Sequence, residues 1–290
     1  MLVWQEHRIW FSRVSEALRA ERARRGAHRI SRLDGIETIL TLIRCQFSHV
    51  RLFHACRTED VNQYYERGII RHSDHTLARA RRLIGSVAGM DSALVERAII
   101  QTDRELDRDR VFLALDDRQF VRFAGQYLIY GSESILAIAA TIVRLGGPNA
   151  RPALKTIGIP TLFTCNVALE LISEAGQRAI AESLFDEYRS ASGRPPKCAS
   201  HIDHTVILRA DVPPGAIELH EHPRNIVDWH EGGAAYSWGA RGATTPSSAS
   251  PSNPSAKISA TRSTSAPARA SSTSAEILQH KKRSPANCST

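Results

Sequence analysis

The sequence predicts an α+β fold, because amphipathic helices and buried strands follow one another in an irregular order. Apolar residues at helical spacing indicate helices at 10–18 and 36–43. Compact apolar runs indicate strands at 111–115 and 161–167. A doubly wound parallel sheet would require strands and helices to alternate regularly, and the pattern does not alternate in this way.

Composition divides the chain into three predicted regions. Residues 1–48 form an N-terminal helical extension, in which Asp34-Gly35 is expected to end the first helix. Residues 49–239 form the α+β domain, and residues 240–290 form a tail rich in Ser, Ala, Thr and Pro. The tail has almost no large apolar residues with which to offset its ordering entropy, so we expect it to be disordered.

The net charge of +8 is concentrated at the two ends of the chain. Residues 1–34 hold eight Arg and four acidic residues, and residues 240–290 hold seven Lys or Arg and one acidic residue. The segment between them is therefore slightly negative. A sequence-independent phosphate-binding surface on the folded domain is not predicted, although the basic ends remain able to bind anions.

Cysteine spacing and hydropathy predict a cytoplasmic protein without a membrane partner. The five cysteines lie at long, irregular spacings, which is typical of reduced thiols in a cytosolic compartment. The longest apolar runs, such as 135–143, are far shorter than the roughly 20 residues that span a bilayer. The first residues also lack the basic-then-apolar order of a secretory signal.

One candidate motif is the segment Leu52-Phe53-His54-Ala55-Cys56-Arg57. The apolar residues before His54 predict a strand that ends at this histidine. Thr58 is the predicted N-cap of a short following helix, and Gly68 is its predicted left-handed stop. The sequence thus places a histidine at a strand end, just before a glycine-terminated helix. A satisfied core imidazole is the alternative interpretation of His54.

A second candidate motif is the segment Gly125-Gln126-Tyr127-Leu128-Ile129-Tyr130-Gly131-Ser132-Glu133. Its aromatic and β-branched residues predict a strand over 127–130, and Ser132 is the predicted N-cap of a helix. Glu133 would then lie in the first helical turn. An acid at that position also stabilises the helix dipole, so a purely structural role for Glu133 stays open.

The two motifs together resemble the ADP-ribosyltransferase superfamily of the His-Tyr-Glu type. The resemblance implies a split β-sheet core and NAD as a co-substrate. It also implies transfer of ADP-ribose to a macromolecular acceptor, either protein or nucleic acid, by a toxin, an effector or a defence factor. By residue type, His54 would hold the adenosine ribose, Tyr127 or Tyr130 would stack on nicotinamide, and Glu133 would bind the nicotinamide ribose.

Two further residues complete this predicted site. Arg57 is a candidate for binding the pyrophosphate, because a guanidinium binds two phosphate oxygens at once. Asp203 is the alternative catalytic carboxylate: it precedes the predicted strand 205–208 and a Val-Pro-Pro segment similar to one in some family members. Cleavage of the nicotinamide glycosidic bond develops positive charge on the ribose, which a carboxylate stabilises.

Two other functions remain open. A metal-dependent hydrolase is suggested by potential metal ligands late in the chain. These are Cys198, His201, Asp203, His204, His220 and His222. A non-enzymatic interaction module is suggested by the Arg-rich segment 19–32 and the basic tail, which would bind an acidic partner.

Overall fold

The computed structural model describes residues 1–26, 29–105, 109–117, 121, 124–191 and 205–238. The helices in this part of the chain are α1 (His7–Arg24), α2 (Arg32–Gln46), α3 (Asn62–Arg67), α4 (Asp74–Gly85), α5 (Ser92–Glu105), α6 (Gln126–Tyr130), α7 (Glu133–Arg144), α8 (Arg151–Leu154) and α9 (Glu174–Ala191). The strands are β1 (His49–Thr58), β2 (Val111–Ala114), β3 (Ile159–Ala168), β4 (Thr205–Leu208), β5 (Ile217–Glu221), β6 (Asn225–Asp228) and β7 (Ala234–Ser237).

The strands confirm the α+β class. Strands β1 to β5 form an antiparallel sheet in the order β4-β2-β1-β3-β5, and β6 and β7 form a separate hairpin. The longest pairing joins β1 to β3, from His49 opposite Ala168 to Thr58 opposite Ile159. None of the described helices is long and apolar enough to cross a bilayer.

Helices cover both faces of the sheet, because its strands bury side chains in both directions. Leu52 and Cys56 of β1 belong to a first core, formed with α1, α2 and α9. Phe53 and Ala55 belong to a second core, formed with α4, α5, α6 and α7. Successive strand residues point to opposite faces, so the position of a residue along β1 determines which core it faces.

The predicted break at Asp34-Gly35 is wrong, because both residues lie inside α2. Ser31 is the N-cap, and its side chain accepts a hydrogen bond from the Asp34 amide at 3.1 Å. Asp34 therefore stands in the first turn, where an acid favours the helix dipole. Gly35 allows α2 to approach α9 closely, since a Cβ there would lie 2.3 Å from the Phe185 ring.

The predicted end of the strand at His54 is also wrong, because β1 continues to Thr58. The histidine thus lies within the strand. Thr58 does not cap α3, which begins at Asn62; its hydroxyl instead donates to the carbonyl of Asp60 and accepts from the amide of the same residue. Gly68 ends α3 at φ 81°, as predicted for a left-handed stop.

The predicted strand at 127–130 is a short helix, α6. Leu128, Ile129 and Tyr130 are buried in succession, and the amides of Leu128 and Ile129 donate to the Gly125 carbonyl at 3.0 Å. A short run of consecutive apolar residues does not distinguish a buried strand from a buried helical turn. The predicted helix cap at Ser132 is confirmed, because its side chain accepts from the Ile135 amide.

Candidate functional site

His54 projects from the middle of β1 onto the face of the first core, on the same side as Leu52 and Cys56. Its Nδ1 lies 3.1 Å from the Phe112 carbonyl oxygen. A carbonyl only accepts, so Nδ1 carries the proton and Nε2 of the neutral ring is an acceptor. Burial, with a smaller contribution from the Arg79 charge, lowers the pKa of His54, which keeps the imidazole neutral at pH 7.

Beside this histidine, the edge of β1 is not paired with β2, and we call this unpaired edge the opening. The two strands pair at one position, Phe53 opposite Ala114, and β1 continues beyond it to Thr58. Past this pair, side-chain contacts are found at the edge of β1. The His54 ring contacts the Phe112 carbonyl, and Arg79 Nη2 of α4 donates to the Arg57 carbonyl at 2.5 Å. Both side chains remain half-buried.

Two adjacent tyrosines of α3 lie on the same face. The Tyr64 ring stacks on Phe163 with centroids 4.5 Å apart, and the Tyr65 ring meets Phe163 edge-on at 6.3 Å. Phe163 is opposite His54 in the β1–β3 register, so the tyrosines stand next to the histidine strand. Burial, together with Cys56, raises the pKa of Tyr64, which keeps its hydroxyl protonated.

Cys56 is a thiol and not a thiolate at neutral pH. Burial raises its pKa to about 11, although hydrogen bonding by Tyr64 acts in the opposite direction. A nucleophilic cysteine needs the reverse shift. Cys45, Cys56 and Cys165 are free of disulfides; Cys198 and Cys288 lie outside the described residues.

Two histidines of the metal hypothesis, His220 and His222, follow one another on one face of the sheet, with ring centroids 5.1 Å apart. His220 Nδ1 lies 2.8 Å from the Tyr65 hydroxyl, and His222 Nδ1 lies 2.9 Å from the Pro160 carbonyl. Within the described ranges, no group of three or more His, Cys, Asp or Glu residues is arranged to hold a metal ion. The other potential ligands, at 198 and 201–204, lie outside those ranges.

Arg57 lies on the opposite face from His54 and is 4% exposed. Its guanidinium donates to the carbonyls of Ile157 at 2.7 Å, Ile129 at 3.2 Å and Lys155 at 2.5 Å. The Tyr236 hydroxyl accepts a further bond at 3.1 Å. The predicted grouping of Arg57 with His54 around one ligand is therefore not found. Arg57 instead connects β1 to α6, to the segment after α8 and to β7.

Tyr130 belongs to the same buried polar cluster as Arg57. Its hydroxyl donates to Asp228 Oδ2 at 2.6 Å, and Lys155 Nζ lies 2.9 Å from the same oxygen. Glu231 forms a second ion pair with Lys155. Burial acts to raise the pKa of Asp228, but the hydrogen bonds from Tyr130 and Lys155 outweigh it, so the pKa is lowered. These contacts fix the β6–β7 hairpin against the second core.

Tyr127 and Glu133 lie in a third part of the structure, apart from His54 and from the Arg57 cluster. Both are half-buried, and the Glu133 charge adds to burial in raising the pKa of Tyr127. Glu133 is the first residue of α7, whose buried residues belong to the second core, whereas His54 faces the first. The structure thus places the predicted site residues in three separate surroundings: His54 in one, Arg57 and Tyr130 in another, and Tyr127 and Glu133 in a third. Asp203 lies outside the described residues.

Two residues that the sequence analysis did not assign to the site are Tyr64, which stacks on Phe163 opposite His54, and Arg79, whose charge acts on His54. Tyr64 lies in the same predicted strand–helix segment as His54, so a search of that segment for aromatic side chains could have identified it. Arg79 has no such signal, because it is one of several arginines on an amphipathic helix.

Comparison of the chain with protein-family models, curated proteins and solved structures finds no match.

Proposed function

We propose that the chain is an ADP-ribosyltransferase-like protein that binds NAD in the opening beside His54 and transfers ADP-ribose to a macromolecular acceptor. The observation that carries this proposal is the state of His54: a neutral, half-buried imidazole whose Nδ1–H is held by the Phe112 carbonyl. The remaining nitrogen accepts a hydrogen bond, which suits a ribose hydroxyl.

The surroundings of His54 support a nucleotide more than a small polar ligand. Tyr64 and Tyr65 provide aromatic surface on the same face of the sheet. Aromatic rings stack on nucleobases with about 1–3 kcal/mol per base. A hydroxyl acceptor next to aromatic side chains is the combination that an adenosine or nicotinamide nucleoside requires.

The carboxylate that stabilises the ribosyl cation is one of the two that the sequence suggests: Glu133, which lies with the second core and not beside His54, or Asp203, which lies outside the described residues. Its task is electrostatic, because positive charge develops on the ribose while nicotinamide departs. Glu133→Gln and Asp203→Asn would each retain the side-chain size and remove the charge. The variant that loses nicotinamide release while keeping NAD affinity identifies the catalytic carboxylate.

The test of NAD binding is isothermal titration of the full-length protein with NAD. His54→Gln should weaken binding at least about tenfold, since one hydrogen bond and the fit of the ring are lost. His49→Gln is the matched control: the same substitution on the same strand, at an exposed residue, should leave the affinity within twofold. Absence of binding by the wild-type protein at millimolar NAD would refute the proposal.

A further inference from the structure

Arg79 occupies the open edge of β1. Its Nη2 donates to the Arg57 carbonyl at 2.5 Å, at a position where β1 has run past its pairing with β2. This contact fixes the guanidinium through one N–H group. The side chain is half-buried, so it stays partly exposed to solvent.

The Arg79 charge acts on the same groups that surround the opening. Burial is the main cause of the shifted pKa values of His54, Cys56 and Tyr64; the Arg79 charge adds to the lowering for His54 and acts against the raising for Cys56 and Tyr64. The guanidinium is therefore within electrostatic reach of all three. None of these three groups carries a negative charge at pH 7, because the imidazole is neutral and the thiol and phenol are protonated.

The acid on which the Arg79 charge is shown to act, Glu59, is already engaged by another arginine. Glu59 accepts two hydrogen bonds from Arg82, at 2.5 and 3.2 Å, and this contact lowers the pKa of Glu59 more than the Arg79 charge does. Arg79 itself forms no ion pair with any residue in the described ranges. Among the described residues, Arg79 is thus a cation anchored to backbone that forms no ion pair, because the carboxylate within its electrostatic reach, Glu59, is held by Arg82.

We infer that Arg79 binds the diphosphate group of the nucleotide held beside His54. The inference rests on the proposed function and deepens it by assigning the diphosphate to a residue of α4. A guanidinium that donates one N–H to a carbonyl keeps further N–H donors. Its planar fork matches two oxygens of a phosphate. Arg57, which the sequence suggests for this task, has its guanidinium bound to carbonyls on the other face.

The test is isothermal titration of the full-length protein with three probes: NAD, inorganic diphosphate and nicotinamide riboside, which has no phosphate. Arg79→Gln should weaken NAD and diphosphate at least tenfold and leave nicotinamide riboside within twofold. Arg79→Lys retains the charge and a donor for the Arg57 carbonyl but lacks the fork, so an intermediate loss is expected. Arg81→Gln removes the same charge from the same helix at an exposed residue that pairs with Glu96, and it should change none of the three affinities more than twofold. Thermal unfolding of each variant verifies that it is folded.

The outcomes separate this inference from the proposed function. If the wild type binds NAD, His54→Gln loses it and Arg79→Gln keeps it, the function stands and the role of Arg79 is overturned. If the wild type binds diphosphate through Arg79 but does not bind NAD, the proposed function fails while the anion site stands. If the wild type binds neither, both are refuted.

Discussion

His54 and Arg57 stand three residues apart in one strand and face opposite sides of the sheet, one beside an opening and the other inside a buried polar cluster. The odd spacing imposes this separation, because side chains alternate along a strand. The two residues should therefore respond differently to substitution.

Arg57→Met should lower the free energy of unfolding by about 3 kcal/mol, because the carbonyls of Ile157 and Ile129 lose the guanidinium donor and the Lys155 carbonyl keeps only the Tyr236 hydroxyl. Urea denaturation measures the change. The matched control is Arg51→Met on the same strand, where a partly exposed ion pair to Glu218 is lost and the cost should be about 1 kcal/mol or less. Equal losses in the two variants would show that the buried contacts of Arg57 do not stabilise the fold.

Cys56 and Cys165 should resist alkylation in the native protein. Burial raises their pKa values to about 11 and about 12, so the thiolate is scarce at pH 8, while Cys45 is exposed. Iodoacetamide labelling at pH 8 with peptide mass mapping should find Cys45 modified before Cys56 and Cys165. In urea all three should react. Fast labelling of native Cys56 would contradict the buried position and would restore it as a candidate nucleophile.

The fold class and most elements follow from the sequence, because periodic apolar residues and caps such as Ser132 act locally. The site follows less well. Whether β1 ends at His54 depends on its partner β3, which lies a hundred residues later and extends the strand to Thr58. Likewise, α6 is a helix with three consecutive buried residues. A short apolar run has no periodicity that would distinguish such a helical turn from a strand. Contacts between distant segments decide these points, and local propensity does not encode them.

Arg79 illustrates the same limit for function. The sequence suggests Arg57 for the diphosphate of the proposed ligand because this arginine is near His54 in the chain. In the structure, proximity along a strand corresponds to the opposite face, and the arginine near the histidine comes from α4. Only the packing of α4 against β1 brings this residue to the opening.

Gly68→Ala should lower the free energy of unfolding by about 3 kcal/mol. Gly68 has φ 81°, and an added Cβ would lie 2.0 Å from the Val212 carbonyl oxygen, so strain and overlap add together. Gly26→Ala is the matched control: φ is 59° there, but no atom lies within 4 Å, so only the strain of about 1 kcal/mol remains. Urea denaturation compares the two. Similar costs would mean that the chain after α3 can shift away from Val212.

The free energy of unfolding should fall as the pH drops below about 6.5, the ordinary pKa of histidine. Burial lowers the pKa values of His54, His220 and His230 in the folded state. The unfolded chain then takes up protons before the folded one, so stability is full above pH 6.5 and decreases until the folded pKa values are passed. Carboxylates with lowered pKa values, such as Asp228, lose their contribution only nearer pH 4. Urea midpoints at pH 7.5, 6.5 and 5.5 should decrease in that order, and His54→Gln should reduce the slope because its side chain does not titrate. A midpoint that stays constant from pH 7.5 to 5.5 would mean that these imidazoles accept protons in the folded state as readily as in the unfolded chain, and with that the neutral His54 on which the proposed nucleotide site depends would be lost.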